Sequence, residues 1–239
     1  MLLRVRVSLP DRPGSLGTVA HTLGVTGADI VQVTVLERLA GRAVDDFTVS
    51  WPAGVPLARL EAGLAEAPGV RIVGLWRAIG TPVVGGSDAH LLGQVAANPA
   101  DGVPTLVDAA PGLLAADWAA ALVVGAEWAD ADPDAPAVAY ASWQAPDGFT
   151  PPDVLPLRPR ALTGEDGTRY AAAPFGRAGL VLLVARADTS APADPPDDGY
   201  PWIAPSFHAT ELDRISQLVR AAAGILGESL DLVTVGSPS

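Results

Sequence analysis

Every second residue near the start of the chain is apolar, and the apolar residues then recur at the spacing of a helix. The alternating apolar residues are Leu3, Val5, Val7 and Leu9. This period of two predicts a strand with one buried face. After a short loop, apolar residues recur at steps of three and four: Leu16, Val19, Ala20 and Leu23. That spacing predicts a helix with a single apolar stripe, so the chain begins with a strand and a helix.

The next residues extend these two elements into a complete small fold. A β-branched run at Ile30–Leu36 predicts a second strand, and a turn at residues 39–42 leads into a third. Pro56 opens a second helix, and residues 70–79 predict a last strand. The order β-α-β-β-α-β is that of a ferredoxin-like plait, so an α+β fold is expected for residues 1–79.

The rest of the chain shows a weaker pattern of helices and strands. Helices are predicted near 89–97, near 105–114 and from Thr210 onward, where Thr210 and Asp213 have capping-box spacing. Strands are predicted at four apolar or alternating segments: 119–124, 137–143, 169–174 and 178–186. The last segment is apolar throughout, which predicts a central strand buried on both faces. An antiparallel sheet with helices is therefore expected.

A stretch rich in glycine and proline separates the two patterns. Residues 80–88 read Gly-Thr-Pro-Val-Val-Gly-Gly-Ser-Asp, which is typical of a linker. The charge changes there too, from 8 arginines and 7 acidic residues in 1–79 to 7 arginines and 20 acidic residues beyond. We therefore expect a first domain at 1–79, a linker at 80–88, a second domain at 89–227 and a tail at 228–239.

Composition excludes several kinds of chemistry and partner. The chain has no cysteine, which excludes disulfides and thiolate metal sites, and its 15 basic residues are all arginine, which excludes lysine Schiff bases. A net charge of −12 without clustered cations argues against nucleic acid as a partner. The longest strongly apolar run has eight residues, against the ~20 needed to span a bilayer. A cytoplasmic protein without membrane contact is expected.

No residue pattern predicts a catalytic residue, a metal site or a cofactor. The histidines lack metal-ligand spacing: His21, His90 and His208. The acidic run Asp130–Asp134 resembles the start of a calcium loop, but Ala135 and Ala141 stand where a glycine and a glutamate are needed. Asp45 and Asp46 are interpreted as a solvated strand start. The chain is therefore not expected to be an enzyme.

Two short motifs carry a resemblance to a known family. One is Asp11-Arg12-Pro13-Gly14-Ser15-Leu16, directly after the first strand, and the other is Gly27-Ala28-Asp29-Ile30, where the helix leads into the second strand. In this order of elements they resemble the motifs of ACT domains. The resemblance implies a plait that binds an amino acid or a related effector, in a pocket between two plaits paired edge to edge. A homodimer is therefore expected. Many relatives have an asparagine where this chain has Asp29.

A free amino acid offers a carboxylate and an ammonium group to such a site. Backbone N–H groups around Gly14, Ser15 and Leu16 are donors for the carboxylate, and the helix dipole favours an anion there. Asp29 or Asp11 is the candidate acceptor for the ammonium group. The predicted ligand-binding residues are Asp11, Arg12, Pro13, Gly14, Ser15, Leu16, Asp29 and Ile30.

The second domain carries a separate resemblance. Its hydrophobic pattern resembles that of GAF domains in three segments: Leu113–Val124, Ala171–Arg186 and Phe207–Leu212. GAF domains are sheet folds that sense small molecules. Members that hold linear tetrapyrroles often use a cysteine, which this chain lacks, so any ligand here is expected to bind non-covalently.

Three hypotheses about function follow. The first is a non-catalytic regulatory or sensor protein that binds an amino acid at the ACT-type loop. The second is an enzyme with its site in the second domain, regulated by the first, with His208, Glu211 and Asp166 arranged around an open cleft. The third is a structural dimerisation module whose pockets are filled by side chains.

Overall fold

The computed structural model describes residues 1–78, 86–124, 136–176, 179–187, 202–227 and 230. These residues form five α-helices and two antiparallel sheets, which confirms the α+β class. They fall into two compact units: residues 1–78 with 202–205 make up the first, and the others make up the second.

The first unit is a four-stranded plait. Its elements are β1 (Leu2–Pro10), α1 (Ser15–Thr26), β2 (Asp29–Leu39), β3 (Arg42–Ser50), α2 (Leu57–Glu66) and β4 (Arg71–Arg77). The strands lie in the order β2-β3-β1-β4, and each neighbouring pair is antiparallel. The predicted plait is therefore confirmed, with β2 at one edge of the sheet.

The apolar residues that predicted these elements form the first core. The alternating residues of β1 are all buried, together with Val19 and Leu23 of α1 and three leucines of α2. Complete burial of one such side chain is worth about 1.5–3 kcal/mol. The same side of β3 contributes Phe47 and Val49. One face of the sheet therefore packs against the two helices.

Residues 202–205 join the first unit, although they are distant from it in sequence. Ile203 exchanges two backbone hydrogen bonds of 3.0 Å with Leu75 of β4. Trp202 is buried in the first core, and Pro205 lies so close to Gly74 that a Cβ there would approach its ring to 2.7 Å. This short segment extends the sheet beyond β4.

The second unit contains a five-stranded antiparallel sheet with three α-helices among its described residues. The elements are α3 (Ser87–Ala97), a 3-10 turn (Pro99–Asp101), α4 (Gly102–Leu114), β5 (Trp118–Val123), β6 (Ala137–Ala141), β7 (Arg160–Thr163), β8 (Arg169–Pro174), β9 (Leu180–Arg186) and α5 (Ala209–Leu226). The strand order is β6-β5-β9-β8-β7. Every residue of the central strand β9 is buried, as its apolar run predicted.

Side chains cover both faces of this second sheet. One face packs against the helices through residues such as Leu182, Val107 and Val219. On the other face, Trp118 of β5 packs against Phe149 from the segment that follows β6. The two faces therefore have separate hydrophobic cores.

Two details of the second unit differ from the sequence analysis. Strand β7 is not among the strands predicted from the sequence. Helix α5 begins at Ala209, and its capping box is formed by His208 and Glu211 instead of Thr210 and Asp213. The reason is that Glu211 accepts the His208 backbone N–H at 2.7 Å.

Most of the predicted linker and tail lies outside the described residues. Helix α3 begins at Ser87, inside the segment assigned to the linker. Leu230, inside the segment assigned to the tail, is buried in the second core. The described helices include none that is both long enough and apolar enough to cross a bilayer.

Candidate functional site

The loop between β1 and α1 is held by backbone hydrogen bonds. The Asp11 N–H donates to the carbonyl of Gly41 at 2.9 Å, which ties the loop to the β2–β3 hairpin. The Ser15 N–H donates to the Arg12 carbonyl at 3.2 Å and closes a turn. Gly14 has a φ of 90°, in the left-handed region that favours glycine. The loop is therefore a defined turn that ends at the helix.

The first turn of α1 presents backbone donors. No side chain caps this helix. Among the described residues, the N–H groups of Leu16 and Gly17 have no hydrogen-bond partner. The space beside Gly14 is open, since a Cβ there would meet no atom within 4 Å. Unpaired N–H groups at the positive end of a helix dipole are suited to bind an anion.

Asp11, one of the two candidates for an ammonium partner, already has a cation beside it. Arg38, at the end of β2, donates its Nε to Asp11 Oδ1 at 2.9 Å, and one Nη lies 2.7 Å from the same oxygen. The hydrogen bond to Asp11 and the attraction between the two charges raise the pKa of Arg38. Asp11 therefore connects the loop to β2.

The other candidate, Asp29, lies at the far end of the plait in the same chain. Asp29 is the first residue of β2 and pairs with Ser50, whereas Leu39 at the other end pairs with Arg42 beside the loop. At ~3.3 Å per residue, an 11-residue strand separates its ends by roughly 30 Å. The structure thus brings residues 11–16 together but does not bring Asp29 and Ile30 to them within one chain.

Asp45 and Asp46 are buried, so their interpretation as a solvated strand start is wrong. They are 3% and 1% exposed, respectively. Both lie in the middle of β3, and they point to opposite faces of the sheet. Arg6 donates two hydrogen bonds to Asp46, at 2.7 and 2.9 Å, which compensates the buried charge of that residue.

Asp45 lacks such compensation. Its Oδ1 is buried and has no hydrogen-bond partner among the described residues. Burial is the main cause that raises the pKa of Asp45, followed by repulsion from Asp46 and then from Asp11, while attraction to Arg38 opposes the rise. The surroundings of Asp45 thus disfavour its ionised form relative to an exposed aspartate.

We expect Asp45→Asn to stabilise the ligand-free protein at neutral pH. Because the folded state raises the pKa of Asp45, the ionised carboxylate costs stability once the pH exceeds its ordinary value of about 3.9. The variant should therefore gain no stability at low pH. The gain should grow as the pH rises to the pKa that Asp45 has in the folded protein, and it should stay constant above that pH. Urea unfolding of both proteins from pH 4 to 8 measures this difference. A variant less stable than wild type at pH 7 would contradict the prediction.

The edge of the sheet nearest this loop exposes apolar side chains. Val33 and Val35 of β2 lie on the side of the sheet that faces the helices, yet they are 37% and 49% exposed. Leu16 and Val25 of α1 are also exposed. The β2 edge of the plait is therefore an apolar surface beside the loop.

The polar residues considered for catalysis in the second unit take part in structural hydrogen bonds. Glu211 bonds to Arg186 and to the backbone of His208. Asp166 accepts the N–H and the hydroxyl of Thr168 at 3.0 and 2.8 Å, within the turn between β7 and β8. Among the described residues there is no cluster of three potential metal ligands. The acidic run Asp130–Asp134 lies outside them.

Comparison with known proteins identifies no family. No family model matches the chain, and no curated protein matches it. A formyltetrahydrofolate deformylase from Pseudomonas putida KT2440 is similar at 20% identity over 32% of this chain and 28% of that chain, with a TM-score of 0.29. The chain therefore spans less than a third of that protein. An unknown protein from Galdieria sulphuraria is similar at 14% identity over 95% of this chain and 92% of that chain, with a TM-score of 0.31.

Proposed function

We propose that this is a non-catalytic regulatory protein whose plait binds a free amino acid, in the manner of an ACT domain. The observation that carries the proposal is the free first turn of α1. The N–H groups of Leu16 and Gly17 have no partner among the described residues, and the space beside Gly14 is open. A carboxylate placed there receives hydrogen bonds and the favourable field of the helix dipole.

A homodimer that pairs two β2 strands completes this site. In an antiparallel pair related by a two-fold axis, the start of one strand lies beside the end of the other. Asp29 of one plait would then lie near the Asp11–Leu16 loop of its partner, although the two are far apart within a chain. The position of β2 at the sheet edge and its exposed valines support this pairing.

The second unit is proposed to relay the signal or to contact a downstream protein. Its strand order of β6-β5-β9-β8-β7 and its helices on one face support the GAF-like interpretation of the sequence. A cytoplasmic location is part of this proposal.

Calorimetry of the purified protein against the twenty amino acids tests the proposed function. We expect one amino acid, or a few with similar side chains, to bind with saturable heat. If none of the twenty binds at millimolar concentration, the sensing role is wrong. The plait would then be a structural dimerisation module.

We expect a dimer at micromolar concentration and a monomer after Val33→Asp. The substitution places a charge in the centre of the apolar β2 edge, where pairing would bury it at a cost of several kcal/mol. Val73→Asp is the matched control, because Val73 is similarly exposed at 43% but lies on β4. Light scattering measures both masses. A wild-type monomer, or a Val33→Asp dimer, would exclude this interface.

A further inference from the structure

Asp45 lies on the helix-facing side of the sheet, near the loop. It pairs with Val7 of β1 and with Val35 of β2. Residues directly opposite each other in an antiparallel sheet share a face, and Val7 is wholly buried in the same core as Val19 of α1. Val7 lies three residues before Pro10, where β1 ends and the loop begins, so Asp45 lies in the half of the sheet nearer the loop.

Among the described residues, no cation is hydrogen-bonded to the buried Oδ1 of this carboxylate, and Arg38 acts on it only through its charge. Arg38 is hydrogen-bonded to Asp11, and Arg6 is hydrogen-bonded to Asp46. An ionised carboxylate without a partner is costly to bury, so this position is suited to a positively charged group from outside the chain. Val35, opposite Asp45 on β2, is 49% exposed, whereas Asp45 is 3% exposed, so the carboxylate lies buried beside an exposed part of this face.

We propose that Asp45 binds the ammonium group of the amino acid whose carboxylate is held by the first turn of α1. This inference rests on the proposed function and adds a determinant of specificity to it. A zwitterion satisfies both subsites at once, whereas a 2-hydroxy acid of the same shape supplies a carboxylate but no cation. Sites built around a buried polar partner discriminate strongly against analogues that lack the matching group. The ligand class is therefore free α-amino acids.

The test compares two ligands and three proteins by calorimetry at one pH. The ligands are the tightest-binding amino acid of the twenty and the 2-hydroxy acid with the same side chain, such as L-lactate for L-alanine. The proteins are wild type, Asp45→Asn and Glu66→Gln, which removes an exposed carboxylate at the end of α2. We expect wild type to bind the amino acid at least tenfold more tightly than the hydroxy acid.

Asp45→Asn should bind the amino acid about tenfold more weakly and the hydroxy acid no more weakly than wild type. Glu66→Gln should behave as wild type. If Asp45→Asn retains wild-type affinity for the amino acid, the inference is wrong and the proposed function stands. Equal binding of the two ligands by wild type would also overturn the inference, without any variant. If wild type binds no amino acid, both fail.

Discussion

Gly14→Asp is expected to weaken amino-acid binding by well over tenfold, or at least ~1.4 kcal/mol. The new carboxylate would occupy the open space beside the first turn of α1, where the ligand's carboxylate is proposed to lie. It would add repulsion between like charges to the loss of space. An aspartate side chain in this position can also accept the free N–H groups of the helix itself, which removes the donors from the ligand.

The control for this variant is Gly148→Asp, in the second unit. Gly148 also has a positive φ, of 66°, and open space around it, so both variants introduce an aspartate where the backbone favours glycine. Gly148→Asp should bind the amino acid as wild type does. Thermal unfolding should show that both variants fold. If Gly14→Asp binds with wild-type affinity, the ligand does not occupy the loop and the proposed site is wrong.

The loop could be predicted from sequence because its signals are local. The alternation in β1, the Pro-Gly turn and the spacing of Leu16, Val19 and Leu23 all lie within about twenty residues, and each follows from the geometry of one strand or one helix. The plait follows from the order of such elements. The α+β fold and the residues of the loop could therefore be predicted from the sequence.

The partners of the loop could not be predicted, because they depend on strand register. Asp29 follows α1 closely in sequence, but the length of β2 places it at the opposite end of the sheet from the loop. Asp45 reaches the helix-facing side only through its pairing with Val7. One signal was available: Ala43, Asp45 and Phe47 alternate, so the pattern that buried Phe47 also buried Asp45.

The position of residues 202–205 also depends on a strand partner, in this case one that is far away in the sequence. Its pairing with β4 joins residues more than a hundred positions apart, and nothing in its proline-rich sequence indicates a strand partner. The capping box of α5 was misplaced for a related reason. Thr210 and Asp213 have suitable spacing, but tertiary contacts hold Glu211 in place and so select His208 as the cap.

Those contacts centre on Arg186, at the end of β9. Its guanidinium group is fully buried and donates to the carbonyls of Leu114 and Ala115, at 2.6 and 3.2 Å, and to the carboxylate of Glu211. It also lies 4.0 Å from the centre of the Phe207 ring. The carbonyls belong to the end of α4, and Glu211 belongs to the first turn of α5. One side chain therefore connects the central strand to two helices.

We expect Arg186→Met to destabilise the second unit by about 3–5 kcal/mol, as is typical when one partner of a buried ion pair is removed. Methionine fills part of the volume but leaves the Glu211 charge and two carbonyls buried without their donor. Urea unfolding measures the loss. Hydrogen exchange should locate it in peptides from β9 and α5, with little change in those from the plait.

The double variant Arg186→Met with Glu211→Gln separates loss of charge compensation from loss of packing. Glutamine keeps an oxygen that can accept the His208 N–H but carries no charge. The double variant should therefore be more stable than Arg186→Met alone, although it carries one more substitution, because no isolated charge is left buried. If the double variant loses as much stability as the two single variants together, Arg186 does not stabilise the Glu211 charge. The polar network would then contribute to the second unit mainly through packing.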